Sequence, residues 1–397
     1  MIPLLKDIRI LDLTSVILGP YATQTLGDLG ADVIKIESPD GDNMRPIAPV
    51  AEPGISALFS NNNRNKRSVV LDLKTDAGRA ALSKLVQTAD VLVHNMRQEA
   101  IDKLGFGFDA VRAMNARLIY CAAVGFGRAG PYAGKPAYDD VIQAASGFAG
   151  LFTVRDGAPM YAPSIIADKI VGLHLVSAVL AALFHRERTG VPPGYVEVPM
   201  FEAMVAFNLN EHLSGATFGD HSNTGYQRTM TPNRRPYRTA DGWIGVLPYT
   251  PVHWVKVLGE IGLGHIPHET WFKDPTERSR NFDRLYGYLA EALPSRTSAD
   301  WIATFERLDI PSAPVRSVTD LLADPHLNAV GMFEPDFAPE LATPTKVQMT
   351  LRSAITFDGL DRGPDLPPPR LGADTESVLR DAGCSAAEIA AVLKGGK

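Results

Sequence analysis

The sequence predicts an α/β protein: a large domain built on an open, mostly parallel sheet and a smaller α+β domain. Three observations carry that expectation. Strand-like and helix-like segments alternate through the first half of the chain, which is the pattern of a parallel sheet covered on both faces. Composition shifts to Gly, Thr, Ser and Asn from Gly215 to Asn233, as in a linker, before a second mixed segment begins. With 397 residues, 45% hydrophobic and 21% charged, the chain is long enough for two cores.

Taken in order, Ile8–Thr14 reads as a buried strand, Tyr21–Leu29 as a short helix and Ala31–Ile36 as a second strand ending at Glu37. Asn61–Arg67 reads as a polar loop with three cations, leading into a strand. A strand over Ser68–Leu73, a helix over Asp76–Thr88 and a strand over Asp90–Val93 follow. Loops after strands lie at the ligand-binding edge of such sheets, which draws attention to Asn95, Met96, Arg97 and Lys103. Leu118–Val124 is strand-like, and Gly125–Gly130 after it matches G-x-G-x-x-G. Pro131 and a further loop follow instead of a helix, so the match reads as a turn and dinucleotide binding stays a minor alternative.

From Lys169 to His185 apolar residues recur at helical spacing almost all round, which predicts a buried helix. Asp168 stands where it begins, as an N-cap type, and Gly190 stands where it ends. Two readings follow: Asp168 is a cap, or it is a carboxylate kept ionised by the helix dipole and able to act as a nucleophile. Beyond it, Tyr195–Val198 reads as a strand and Met200–Leu213 as a helix. Trp243–Val246 reads as a strand, Val252–Ile261 and Arg284–Ala292 as helices, and Ile310–Val315 as a proline-bearing loop. Short strands including Gln348–Leu351 and a last helix over Ala386–Leu393 complete the chain.

The net charge of −6, with no basic stripe, argues against nucleic-acid binding. Two cysteines, Cys121 and Cys384, make neither a disulfide framework nor a metal-ligand spacing, so a cytoplasmic protein is expected. The N-terminus lacks the apolar core of a signal peptide, and no membrane association is expected. No G-x-S-x-G, H-E-x-x-H, P-loop or EF-hand pattern is present, and no metal site is expected.

Several motifs, taken together, resemble the class III CoA-transferase family. They are Ile10–Thr14 with Gly19-Pro20, Leu29–Glu37, Asn65–Ser68, Leu71–Thr75, Ala89–Val93 with Asn95, Leu104–Phe106, Ala167-Asp168 and Asp324–His326. The resemblance implies a Rossmann-like large domain made from both ends of the chain and a small domain between, in a homodimer of interlocked rings. The expected division is residues 1–214, a linker over 215–233, a small domain over 234–329 and a return segment over 330–397.

The resemblance further implies that Asp168 is the nucleophile of a transferase moving CoA from an acyl-CoA to a free carboxylic acid. CoA is a substrate and no cofactor is bound permanently. Carried over by position, CoA is expected against Val16, Leu71, Lys74, Asn95, Met96, Lys103 and Leu104, with Tyr138 and Asp139 bordering the reacting carbonyl. Tyr138 replaces the histidine of the racemase branch, which favours transfer over racemisation. Ile17, with Leu18 and Tyr249, makes the acyl pocket less polar than that of formyl-CoA transferase and points to acids larger than formate or oxalate. Arg234 or Arg235 would suit the second carboxylate of a dicarboxylic acid. A 2-methylacyl-CoA racemase and a non-catalytic CoA-binding homologue stay as alternatives.

Overall fold

The computed structural model describes residues 1–333, 347 and 349–395. It divides into two compact units, one of Met1–Ser146, Ala162–Val205 and His326–Lys397, the other of Gly147–Tyr161 and Ala206–Pro325.

In the first unit the elements are β1 (Arg9–Leu13), α1 (Leu18–Asp28), β2 (Asp32–Glu37), α2 (Ala57–Asn63), β3 (Lys66–Val70) and α3 (Asp76–Thr88). They continue as β4 (Val91–His94), α4 (Gln98–Lys103), β5 (Ile119–Val124), α5 (Asp139–Ala145), α6 (Ile166–Thr189) and β6 (Val196–Pro199). The six strands form one sheet in the order β3-β2-β1-β4-β5-β6. Every neighbouring pair is parallel, with Leu11 opposite Ile34 on one side and Leu92 on the other. Strand order therefore reverses between β1 and β4, and the crevice outside their carboxyl ends is where such sheets bind ligands.

One face of the sheet packs Leu11, Ile34, Val69 and Leu92 against Leu82, Leu85 and Val86 of α3. Val378 and Leu379 of helix Thr375–Asp381, and Ile389 and Val392 of helix Ala386–Gly395, join the same cluster. Met349–Leu351 carry no strand, and Gln348, part of the strand expected there, lies outside the described residues.

Three local departures from expectation matter for function. Helix α1 begins at Leu18 rather than Tyr21, because Gly19-Pro20 folds into the first turn, where proline's missing N–H costs nothing. Helix α6 begins at Ile166, with Ile165 at the N-cap, so Asp168 is its third residue and not its cap. Asn61–Arg67, read as a polar loop, instead closes helix α2 and opens strand β3. Arg64 precedes strand β3, Lys66 and Arg67 begin it, and all three pair internally: Arg64 with Asp28, Lys66 with Asp12 at 3.0 Å, and Arg67 with Asp32 at 2.7 Å.

The second unit holds β7 (Tyr237–Arg238), β8 (Trp243–Val246), α7 (Pro251–Glu260), α8 (Phe282–Ala292), α9 (Ser298–Leu308) and β9 (Ser312–Pro314). The strands make an antiparallel sheet in the order β9-β8-β7, over a core of Trp254, Tyr286, Trp301 and Phe305. The stretch read as a proline loop is thus an edge strand, the one sheet position that tolerates proline. Within residues 215–233, Arg228 is buried, lies over the Tyr249 and Phe282 rings, and donates from Nε to the Tyr286 hydroxyl at 3.0 Å.

Candidate active site

A cleft of about 330 Å³ opens at the carboxyl ends of β1, β4 and β5, at the reversal of strand order. That volume sits at the lower end of small-molecule sites, roughly 300–1,000 Å³. Its wall includes Val16 and Leu18 after β1, Asn95 and Met96 after β4, Tyr138 before α5, and Asp168 of α6. These six expected residues are brought together from positions up to 152 apart in the chain.

Asp168 is only 8% exposed, yet its carboxyl group lines this cleft. Two partners set its position. Its backbone N–H, one of the unpaired donors of the first helical turn, donates to Oδ1 of Asp139 at 2.9 Å. Asp139 Oδ2 accepts from Gln143 Nε2 at 2.6 Å, and Gln143 Oε1 accepts from the Ala162 N–H at 2.9 Å. The Asp168 side chain is consequently free of capping duty and receives the Leu18 N–H at the start of α1. Helix α1 comes this close because residue 172 of α6 is glycine: a Cβ there would stand 2.9 Å from the Leu18 carbonyl oxygen and 3.0 Å from Cδ1 of Tyr21.

Burial, reinforced by the nearby Asp139 carboxylate, pushes the Asp168 carboxyl up to about 7, against the lowering by the Leu18 N–H. The expectation that the helix dipole keeps this group fully ionised is therefore corrected. A dipole at a helix terminus is worth ~0.3–1 kcal/mol and is outweighed by desolvation. What results is a carboxyl group poised to exchange its proton at neutral pH.

Beneath the cleft lies a layer of buried charge. Asp12 and Lys66 are both 0% exposed, and Asp12 also accepts from the Thr23 hydroxyl at 2.6 Å. The two lysines hold Asp12 far below the ordinary carboxylate range, and burial brings Lys66 down to about 8. Lys35 Nζ donates to the Thr14 carbonyl oxygen and to Asp42 Oδ2, each at 2.9 Å. These pairs tie the turn after β1 to strands β2 and β3.

Other expected residues stand apart from the cleft wall. Ile17 is buried at the N-cap of α1, and Leu71 belongs to the sheet core with Leu104 packed against it. Lys74 and Lys103 are exposed but not on the wall, and Asp139 stands behind Asp168. Tyr249 belongs to the second unit. The reading missed Phe126, Arg128, Lys135 and Tyr195, which line the cleft. The signal for Phe126, Arg128 and Lys135 was the position of Gly125–Tyr138 directly after β5, which the failed dinucleotide match obscured; Tyr195, just before β6, carried none. Among the described residues no group of three His, Cys, Asp or Glu could hold a metal ion.

Residues 5–375 match the family model described as CoA-transferase family III. The chain is 31% identical to succinate–glutarate CoA-transferase of Agrobacterium fabrum, covering 96% of each chain. It is 33% identical to succinyl-CoA:mesaconate CoA-transferase of Haloarcula hispanica, covering 82% of this chain and 83% of that one. Among solved structures, a CaiB/BaiF family protein from Brucella suis superposes with a TM-score of 0.79 at 29% identity, covering 96% of this chain and 100% of that one. The chain belongs to CoA-transferase family III, and its enzyme class is that of the CoA-transferases.

Proposed function

We propose that this enzyme carries CoA from an acyl-CoA to a free carboxylic acid through covalent intermediates on Asp168. The observation that carries the reading is a buried carboxyl group on the wall of a cleft at the sheet's carboxyl edge, hydrogen-bonded to a helix N–H. An Asp168 oxygen attacks the thioester carbonyl and expels CoA thiolate, giving an acyl–aspartyl anhydride. The thiolate then attacks the Asp168 Cγ, releasing the donor acid as its carboxylate and leaving an aspartyl–CoA thioester. An acceptor carboxylate reverses both steps, and no net proton is gained or lost. The Leu18 N–H stabilises negative charge on the Asp168 oxygen each time Cγ becomes tetrahedral.

CoA is assigned to Val16, Asn95 and Met96 on the cleft wall, with Leu71, Lys74, Lys103 and Leu104 as outer contacts, and the acyl group to Leu18, Tyr138 and Tyr249. Leu18 favours acids larger than formate. The names of the two relatives, and Arg234 or Arg235, favour a four- or five-carbon dicarboxylate. The domain division given above, an interlocked homodimer and a cytoplasmic location complete the reading. Helix α6 supports the dimer: half of its most apolar stretch is buried within the chain, while Leu173 and Phe184 are 49% and 62% exposed. Light scattering tests for two subunits.

Incubation with a panel of acyl-CoA donors and free acids, followed by mass spectrometry, tests the chemistry. Exchange between donor and acceptor, with a hydroxylamine-sensitive CoA adduct on the peptide containing Asp168, is the expected result. An α-proton exchanged in deuterated water without CoA exchange would point to a racemase instead.

A further inference from the structure

We infer that Asn95, with Asp42 and Lys35, is a positioning clamp that aims the Leu18 N–H at Asp168, and that its side chain does not bind CoA. The inference rests on the transferase reading above and revises the role that reading gives Asn95. Its carboxamide is held at both ends by one residue: Nδ2 donates to the Ser15 carbonyl oxygen at 2.9 Å, and Oδ1 accepts the Ser15 N–H at 3.1 Å. These two contacts use one of its two N–H donors and one of its two lone pairs, and they fix the amide plane against the Ser15 backbone.

The next residue, Val16, has φ of 73°, a left-handed conformation that a β-branched side chain adopts only under restraint. The restraint comes from the strand on the other side. Asp42 Oδ1 accepts the Val16 N–H at 3.3 Å and the Met44 N–H at 2.9 Å. Asp42 Oδ2 is in turn fixed by Lys35 Nζ, which also holds the Thr14 carbonyl oxygen. Thr14, Ser15 and Val16 are thus gripped in succession, from strand β2, the loop after β4 and the loop after β2. Two residues later the chain delivers the N–H that touches the Asp168 carboxyl. A clamp of this kind fixes the direction of a donor without contacting the reactants, and misplacement by ~1 Å costs on the order of 100-fold in rate.

The test is a two-residue cycle in the full-length enzyme, with a donor and acceptor pair that the unaltered protein turns over. For Asn95→Ala, kcat should fall by ~30–100-fold, while the KM for acyl-CoA and the calorimetric Kd for CoA stay within about threefold. Adding Val16→Gly should recover at least about fivefold of the lost kcat, since glycine takes the left-handed turn without the clamp. If Asn95→Ala is insoluble, Asn95→Asp keeps the acceptor for Ser15 N–H and loses the donor, and should lower kcat with CoA affinity unchanged. A tenfold loss of CoA affinity at full kcat, or no recovery with glycine at 16, would overturn the clamp. Absence of exchange and of adduct in the unaltered enzyme would show separately that the transferase reading had failed.

Discussion

Replacing Asp168 by Asn should abolish transfer and, above neutral pH, make the protein more stable. The magnitude follows from the carboxyl group being pushed from 3.8 to about 7 in the folded chain. The folded state then holds the proton more tightly than the unfolded state, so stability is lost as pH rises from about 4 to about 7 and is constant beyond. At about 1.4 kcal/mol for each pKa unit, the loss is about 2 kcal/mol at pH 5 and about 4 kcal/mol at pH 8. Asparagine carries no such cost, and the hydrogen bond from the Leu18 N–H to the charged form is already contained in that shift. The advantage of Asp168→Asn should therefore grow from ~2 kcal/mol at pH 5 to ~4 kcal/mol at pH 8. At ~2 °C per kcal/mol, thermal melts should show the Tm gap between variant and parent widening by ~4 °C over that range. A gap that stays constant, or that closes as pH rises, would refute the claim that this carboxylate is buried against its own charge. Transfer activity retained in the variant, with deamidation excluded by mass, would refute its role as nucleophile.

Further outcomes follow from the same geometry. Because the ionised carboxylate is the attacking form, kcat/KM should rise about tenfold per pH unit below about 7 and level off above it, measured with donors ionised throughout. A rate independent of pH between 5.5 and 8 would contradict this. Gly172→Ala places a Cβ 2.9 Å from the Leu18 carbonyl oxygen, so α1 must move off α6. Transfer should drop about tenfold or more, with a loss of ~1–3 kcal/mol in urea unfolding. Lys66→Met takes the ion-pair partner from Asp12 at 0% exposure and leaves only Lys35 to offset its charge, and should cost ~3–5 kcal/mol by the same unfolding assay. The double variant Asp12→Asn with Lys66→Met should recover part of that loss.

Much of the fold was legible because its signals are local. Strands β1, β2 and β4 are apolar runs between polar turns, and β8 was delimited to the residue, Trp243–Val246. The sequence also singled out Asp168, and the motifs around it, by their order, identified the family. Element ends were less legible where proline appeared: Gly19-Pro20 looked like a turn and Pro311 to Pro314 like a loop, because proline's effect depends on whether its missing N–H faces a partner.

What the sequence by itself determined was the alternation of strand and helix, the apolar α6 and the identity of the carboxylate. Tertiary structure alone decided that carboxylate's state. Its proton affinity comes from burial and from Asp139, and its hydrogen bond comes from Leu18, 150 residues away along the chain. The same holds for Asn95, whose place after β4 suggests a ligand contact and whose carboxamide grips the Ser15 backbone in space. Desolvation and side-chain direction are properties of what packs around a residue, and no local pattern of residue types encodes them.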